Sequence, residues 1–194
     1  MQYAVSTTEE QPQRPKNQTL QFPGSHTSSL NLNTVQKDFK APVATIDATT
    51  LQWELLSSFE IRPEQLELSD STYIIPSLKW LKEDFLPYAK TYFSNYGLLG
   101  SGEGRDCDNI SHAFRHLLVL ANAQSGGMTS GDVPCAILKT KQTNPFGGIQ
   151  AEDAYHTLIL IRTDQGWQII EPQTGENTPF NDYPNKTEAS WALL

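Results

Sequence analysis

Apolar residues recur at three- and four-residue steps in three segments of the chain, the spacing of helices that bury one face. The first segment follows Asp47, a residue type that caps helix N-termini, and Pro63 closes it. The second follows Ser77 and contains Pro87, where we expect a kink or a break because proline has no N–H to donate. The third begins near Cys107 and is the clearest, with apolar positions at Ile110, Ala113, Phe114, Leu117, Leu118 and Ala121.

Candidate strands follow two consecutive glycines at 126 and 127. Short apolar and β-branched runs predict strands over residues 134–140, 154–162 and 167–171. The last two are joined by Thr-Asp-Gln-Gly, a four-residue link typical of a hairpin. Helices followed by strands in this order predict an α+β domain, with the helices packed on a small antiparallel sheet.

The register of this hairpin decides which side chain faces His156. We consider the register in which Arg162 lies opposite Trp167. Gln173 then lies opposite His156, and Glu171 is its diagonal neighbour on the same face, within side-chain reach. A bulge would change the register, so hairpin geometry leaves both Glu171 and Gln173 open as the partner of the histidine.

The first forty residues differ in composition from the rest of the chain. They are rich in Gln, Thr, Ser, Asn and Pro and have no sustained apolar period. Such a segment buries too little apolar surface to offset the entropy lost on ordering, so we expect residues 1–40 to be a flexible polar tail. Residues 41–194 then form one domain of ordinary size.

The charge balance restricts the partners. The chain has 22 acidic and 14 basic residues, a formal net charge of −8, and no cluster of Lys or Arg. We therefore expect neither nucleic acid nor an anionic membrane surface as partner. No apolar run approaches the roughly 20 residues that span a bilayer, and the first residues lack the apolar region of a secretory signal. The expectation is a cytoplasmic protein, with no membrane insertion, whose two cysteines are free thiols.

Three residues carry candidate chemistry. Cys107 lies where a glycine-rich loop (residues 97–104) ends and the third helix begins, and a helix N-terminus favours thiolate over thiol. His156 opens an apolar strand, and Glu171 ends the next one. A thiolate that attacks a carbonyl carbon, an imidazole that takes and returns the proton, and an acid that orients the imidazole together make an acyl-transfer site.

The motifs around these residues add a family resemblance. His156 leads Thr-Leu-Ile-Leu-Ile, and Gly166-Trp167 precedes the acid-proline pair Glu171-Pro172. This arrangement resembles the core of transglutaminase-like cysteine hydrolases. More narrowly, Asp106-Cys107-Asp108 with Glu171-Pro-Gln-Thr-Gly is similar to bacterial transglutaminase-like cysteine proteinases and to the papain-like domain of certain fungal lectins. The resemblance covers about residues 73–186, although the acid is Glu171 where many relatives have Asp.

The resemblance implies a papain-like or transglutaminase-like core and assigns roles to single residues. Cys107 would be the nucleophile, His156 the base and Glu171 the orienting acid. Trp80 would contribute an indole N–H to an oxyanion-binding position. The remaining residues at the site are Asp106, Asp108 and Gln173. The two aspartates are either helix caps or contacts to substrate or to calcium, and no other cofactor is expected.

The predicted function is that of a cysteine hydrolase. Its activity would be thiol-dependent cleavage or transfer at an amide bond through a thioester, as in a peptidase or a transglutaminase. The substrate would be a protein, a peptide or a cell-wall peptide stem. One alternative is a non-catalytic interaction module with an unreactive Cys107, too far from His156 to share a proton. A second alternative is a metal-dependent hydrolase that uses Asp108, His112 and His116, whose spacing suits one helix face.

Overall fold

The first helix begins where the sequence predicts. A computed structural model of the protein describes residues 44–59, 63, 66, 68, 70–99, 106–124, 132–149 and 155–193. Helix α1 spans Ala48–Ser58, and Asp47 caps it by accepting a hydrogen bond of 2.9 Å from the backbone N–H of Thr50. The expected polar tail 1–40 and most of the glycine-rich loop lie outside the described residues.

The second helical segment is interrupted one turn earlier than predicted. Helix α2, Leu78–Trp80, is capped by Ser77 and is followed by a π-helical turn, Leu81–Phe85, and then by helix α3, Leu86–Asn95. Pro87 is the second residue of α3, so its missing N–H and its ring disturb the hydrogen bonds of the turn before it. The break is therefore a widened turn upstream of the proline.

The third helical segment is continuous. Helix α4 spans Cys107–Gln124 and buries the predicted apolar face, whereas His112 and His116 are exposed. In the described part of the chain, no helix combines the length and the apolar character that a membrane span requires.

The strands of the described residues form two antiparallel sheets. Strands β1 (Ala44–Asp47) and β2 (Thr72–Ile75) pair with each other. The larger sheet has the order β6-β5-β4-β3-β7. Its strands are β3 (Cys135–Lys141), β4 (Tyr155–Thr163), β5 (Gly166–Ile170), β6 (Asn177–Pro179) and β7 (Ala189–Leu193).

The central hairpin has the register considered from the sequence. Arg162 lies opposite Trp167, as expected. Thr163 and Gly166 also pair, so the turn contains two residues, Asp164 and Gln165, and is shorter than the predicted four-residue link. Gly166 has a φ of 96°, a conformation that side chains resist and that the tight turn needs here.

The large sheet is buried on both faces. Ile159 and Ile161 of β4 pack against α3 and α4, whereas Leu158 and Leu160 pack on the opposite side with the residues of α1. All four side chains are fully buried. Such a strand is held firmly by the core, whereas at its first end Tyr155 is exposed and His156 is half-buried.

Candidate functional site

The start of α4 is fastened to the start of β4. Asp106 occupies the N-cap position, since its carbonyl oxygen accepts a hydrogen bond of 3.1 Å from the N–H of Ile110. The hydroxyl of Ser111, a fully buried residue, lies 2.6 Å from the carbonyl oxygen of Cys107 and 3.3 Å from that of Thr157. Ser111 thus ties the first turn of the helix to the strand beside the candidate nucleophile.

The thiol of Cys107 is hydrogen-bonded to His156. Cys107 is only partly exposed, and burial raises the pKa of its thiol. The hydrogen bond and the charge of His156, together with hydrogen bonds from Thr157, lower it by more, so the net pKa of Cys107 lies below its ordinary value. The structure therefore brings together two residues that are 49 positions apart in the sequence.

Glu171 is the partner of the histidine. The Nε2 atom of His156 lies 2.5 Å from Oε2 of Glu171, whose side chain is fully buried. Burial lowers the pKa of His156, but the hydrogen bonds and charges of Cys107 and Glu171 outweigh it and raise the pKa to about 9. Gln173 contributes its backbone N–H, which donates a bond of 3.0 Å to Oε1 of Glu171. The choice left open by the sequence is thus resolved in favour of Glu171.

These groups can hold an ion pair at neutral pH. A lowered thiol pKa beside an imidazole pKa of about 9 favours the thiolate with the imidazolium. A thiolate is the nucleophilic form of cysteine, so the geometry gives a reactive thiol. It also removes one form of the interaction-module alternative, in which Cys107 and His156 are too far apart to share a proton.

The other cysteine has no such surroundings. Cys135 is buried in β3, and burial raises the pKa of its thiol to about 12. Both cysteines are free. The two thiols of the chain therefore differ in ionisation because of their environments.

The remaining predicted site residues fall into two groups. Trp80 is 3% exposed and its ring is stacked on Phe85, with the ring centroids 5.3 Å apart, so its oxyanion role stays a prediction.

Asp106 and Asp108 are exposed and both accept hydrogen bonds from the backbone N–H of Asn109. The pKa of Asp106 is lowered, first by its side-chain interaction with Asp108 and then by hydrogen bonds that Asn109 donates to it. The geometry thus gives both aspartates a capping role.

The predicted metal ligands do not come together within the described residues. Asp108, His112 and His116 lie along α4, and the described part of the chain contains no group of three or more His, Cys, Asp or Glu side chains that could hold a metal ion. The alternative of a metal-dependent hydrolase built on these residues therefore has no structural support there. A calcium requirement stays untested.

Sequence reasoning missed three residues that shape the site. Ser111 and Thr157 touch Cys107 or its backbone, and Gly147 lies against the side chain of Glu171. The glycine pair at 147 and 148 was the available signal for the last contact, because consecutive glycines mark tight turns or close approaches.

Comparison with known proteins gives a structural match alone. No protein-family model matches the sequence, and no curated protein is significantly similar to it. A solved structure described as "Polyporus squamosus lectin bound to human-type influenza-binding epitope Neu5Aca2-6Galb1-4GlcNAc" is 14% identical, with a TM-score of 0.53, over 77% of this chain and 49% of that chain. A structure described as "PSL1a-E64 complex" is 15% identical, with a TM-score of 0.49, over 77% and 50%. The chain spans about half the length of the solved chains it matches.

This match corrects the predicted fold. The expected papain-like or transglutaminase-like core is contradicted, because the solved chain that the protein resembles at a TM-score of 0.53 is described as a lectin. Helices packed on an antiparallel sheet are a layer arrangement that several fold families share, and periodicity does not separate these families. The narrower resemblance to a domain of certain fungal lectins points in the same direction as the match and stays a prediction.

The same match corrects the predicted function. The expected cysteine-dependent amide hydrolase or acyl transferase, its assignment as an enzyme and its description as a thiol protease are contradicted by the likeness to a lectin. The prediction failed because a Cys-His-acid arrangement sets the ionisation of a thiol and specifies neither substrate nor turnover. Catalytic roles for Cys107, His156 and Glu171 are tested by none of the comparisons.

Proposed function

We propose that this domain is an interaction module that binds a neutral carbohydrate at the surface where α4 and β4 begin. This site surface consists of Asp106, Cys107, Asp108, Tyr155, His156 and Gln173, each of which is at least partly exposed. The proposal develops the interaction-module alternative. It is supported by the likeness in fold to a lectin solved with an oligosaccharide.

The observation that carries the proposal is the chemistry of the exposed groups. The carboxylates of Asp106 and Asp108 and the thiolate of Cys107 all accept hydrogen bonds, and an ionised carboxylate donates none. His156, as an imidazolium, is a donor at the same surface. The surface therefore combines acceptors with a donor, and sugar hydroxyl groups can both donate and accept hydrogen bonds. These groups support a ligand that carries hydroxyl groups.

An exposed aromatic residue begins the strand that carries His156. Tyr155 is 59% exposed and immediately precedes His156 in β4. The ammonium group of Lys139 lies 5.0 Å from the centroid of the Tyr155 ring. This cation–π contact restrains the ring at the first residue of β4. An exposed aromatic ring with a polar tip suits the apolar face of a sugar ring as well as its hydroxyl groups.

Charge narrows the proposed ligand to a neutral sugar. The chain has a formal net charge of −8, and Asp106 and Asp108 add negative charge at the site surface itself. An anionic sugar would meet repulsion there. We therefore propose that the disaccharide part of the epitope in the lectin structure, Galb1-4GlcNAc, binds better than the full sialylated trisaccharide.

The test is a titration of the purified chain with Galb1-4GlcNAc, followed by amide chemical shifts in NMR spectra. We expect shifts at Cys107, Asp108 and Tyr155, and an affinity reduced about fivefold in Asp108→Asn through the loss of a charged acceptor. The control Glu83→Gln changes an exposed carboxylate on the π-helical turn and should bind normally. No shifts with the disaccharide, or equal affinity in both variants, would contradict the proposal.

A further inference from the structure

The buried Glu171 side chain is held on several sides. Its Oε2 atom faces His156, and its Oε1 atom accepts the N–H of Gln173. Its backbone N–H donates to the carbonyl of Glu176, and its own carbonyl accepts from Gly175, each at 2.8 Å. These contacts fix the backbone and the carboxylate of Glu171. The methylene groups between them cannot form hydrogen bonds, so they are positioned by packing alone.

Gly147 packs against these methylene groups. A Cβ atom placed on Gly147 would lie 2.5 Å from both Cβ and Cγ of Glu171, far inside van der Waals contact. The backbone of residue 147 therefore approaches the glutamate as closely as glycine alone permits. Its φ of 66° adds a second reason for glycine, since this region is strained for residues with a side chain.

The turn that carries Gly147 is held in place by buried amides. Phe146 and Ile149 exchange backbone hydrogen bonds of 3.0 and 3.1 Å across Gly147 and Gly148. The side-chain nitrogen of Gln142, a residue 2% exposed, donates to the carbonyl oxygens of Ile149 and Phe146, at 3.1 and 3.5 Å. Gln142 thus holds the tip of the turn in place through hydrogen bonds to Phe146 and Ile149.

A second amide fixes the entry to the turn. Asn185 is fully buried, and its Oδ1 accepts from the N–H of Asn144 at 2.7 Å and from the hydroxyl of Thr143 at 3.1 Å. Its Nδ2 donates to the carbonyl of Asn144 at 2.9 Å. Because Thr140 of β3 donates to the carbonyl of Asn185, the whole arrangement is anchored to the central sheet.

We propose that Gly147 is a positioning residue for the Cys107–His156 pair, and that it acts by pressing the 142–149 turn against Glu171 so that the carboxylate stays in line with the imidazole. Within the described part of the chain, the turn makes no hydrogen bond to His156 or Cys107, so its effect must pass through the glutamate. This inference goes beyond the proposed carbohydrate site, because it concerns the ionisation of the pair whatever the ligand.

Among the described residues, the titratable groups that act on His156 are Cys107 from α4 and Glu171 after β5. Glu171 in turn acts on Tyr183, whose pKa is raised by burial and by the charge of Glu171. Tyr183 is therefore neutral near pH 7. A displaced Glu171 should act directly on the titration of His156 and, through the imidazole, on that of Cys107.

The test compares two substitutions in the same turn. Gly147→Ala introduces the clash with Glu171, whereas Gly148→Ala has a similar φ of 79° and meets nothing closer than the Thr174 methyl at 3.8 Å. We expect Gly147→Ala to lower the pKa of His156, measured by NMR titration, by at least about one unit, and to slow alkylation of Cys107 at neutral pH about tenfold. Gly148→Ala should carry the same backbone strain and leave both readouts nearly unchanged.

Two further variants keep the inference falsifiable. In a Glu171→Gln background, Gly147→Ala should shift the pKa of His156 no further, because the route through the carboxylate is already lost. Gln142→Met removes the clamp of the turn and should shift the pKa in the same direction by less, even if Gly147→Ala does not fold. An unchanged pKa of His156 in Gln142→Met and in folded Gly147→Ala, or equal shifts in Gly147→Ala and Gly148→Ala, would overturn the inference.

Discussion

The Nε2 atom of His156 lies 2.5 Å from Oε2 of Glu171, and the carboxylate that it meets is fully buried. A carboxylate in such a place stays charged only if its neighbours satisfy it, and here the imidazole and the N–H of Gln173 do so. The pair is therefore an electrostatic unit that keeps a proton on the histidine. His156 of this unit, together with hydrogen bonds from Thr157, lowers the pKa of Cys107.

Removing the charge of Glu171 should lower the pKa of His156. The wild-type value of about 9 depends on the carboxylate and on Cys107. In Glu171→Gln we expect the pKa of His156 to fall by about 1–2 units, because burial lowers this pKa and Cys107 is then the one charged partner left to raise it. The measurement is a histidine NMR titration. Glu176→Gln, on the exposed side of the same turn, is the control, and an unchanged pKa in Glu171→Gln would count against the electrostatic unit.

The two cysteines should differ strongly in alkylation. Cys107 has a lowered thiol pKa, whereas that of Cys135 is raised to about 12 in the core. With iodoacetamide near pH 7 we expect Cys107 to react at least about tenfold faster than Cys135 in the native protein. Peptide mapping by mass spectrometry separates the two sites, and denatured protein, in which both react, serves as the reference.

The same reaction tests the role of the imidazole. His156→Ala should raise the pKa of Cys107 and slow its alkylation about tenfold at neutral pH, while His116→Ala, an exposed histidine on α4, should not. Equal rates in wild type and His156→Ala would show that the hydrogen bond does not ionise the thiol.

The stability of the fold should depend on pH through His156. Its folded pKa of about 9 exceeds the ordinary value of 6.5, so the contribution is full below pH 6.5 and is lost as pH rises toward 9. The lowered pKa of Cys107 acts in the opposite sense, since that contribution is lost as pH falls. In urea unfolding we expect the advantage of wild type over His156→Gln to shrink by on the order of 2 kcal/mol between about pH 6 and about pH 9. If the stability advantage of wild type over His156→Gln instead grew as the pH rises, the predicted direction of the pH dependence would be wrong.

An ion pair away from the site should contribute modestly to the fold. Arg162 of β4 donates to both carboxylate oxygens of Glu54 in α1, at 2.7 and 3.1 Å. Because the pair is bidentate and partly buried, we expect Glu54→Gln to reduce the free energy of unfolding by about 1 kcal/mol. Glu83→Gln removes an exposed pair with Lys79 at 3.9 Å and should cost clearly less. Thermal unfolding of both variants measures the difference.

Local patterns accounted for much of the fold. Asp47 and Ser77 cap helices as predicted, because the signal for a cap lies within one turn of chain. The hairpin of β4 and β5 has the register considered from Arg162 and Trp167, since the two strands adjoin in sequence. The short strands β6 and β7 were not predicted, because three to five residues carry too little pattern to be distinguished from loop.

The sequence by itself determined that Cys107 begins a helix, that His156 opens a buried strand, and that Glu171 lies one hairpin later. Only the tertiary structure decided that Glu171 rather than Gln173 meets the imidazole, and that the backbone of Gly147 touches the glutamate. The motifs around Cys107 and Glu171 suggested a resemblance to a domain of certain fungal lectins, but the match to a solved lectin was found only by comparing three-dimensional structures. The physical reason is one of range: helix periodicity, caps and hairpins depend on neighbours in the chain, whereas these contacts depend on how distant layers pack, and many sequences produce the same layers.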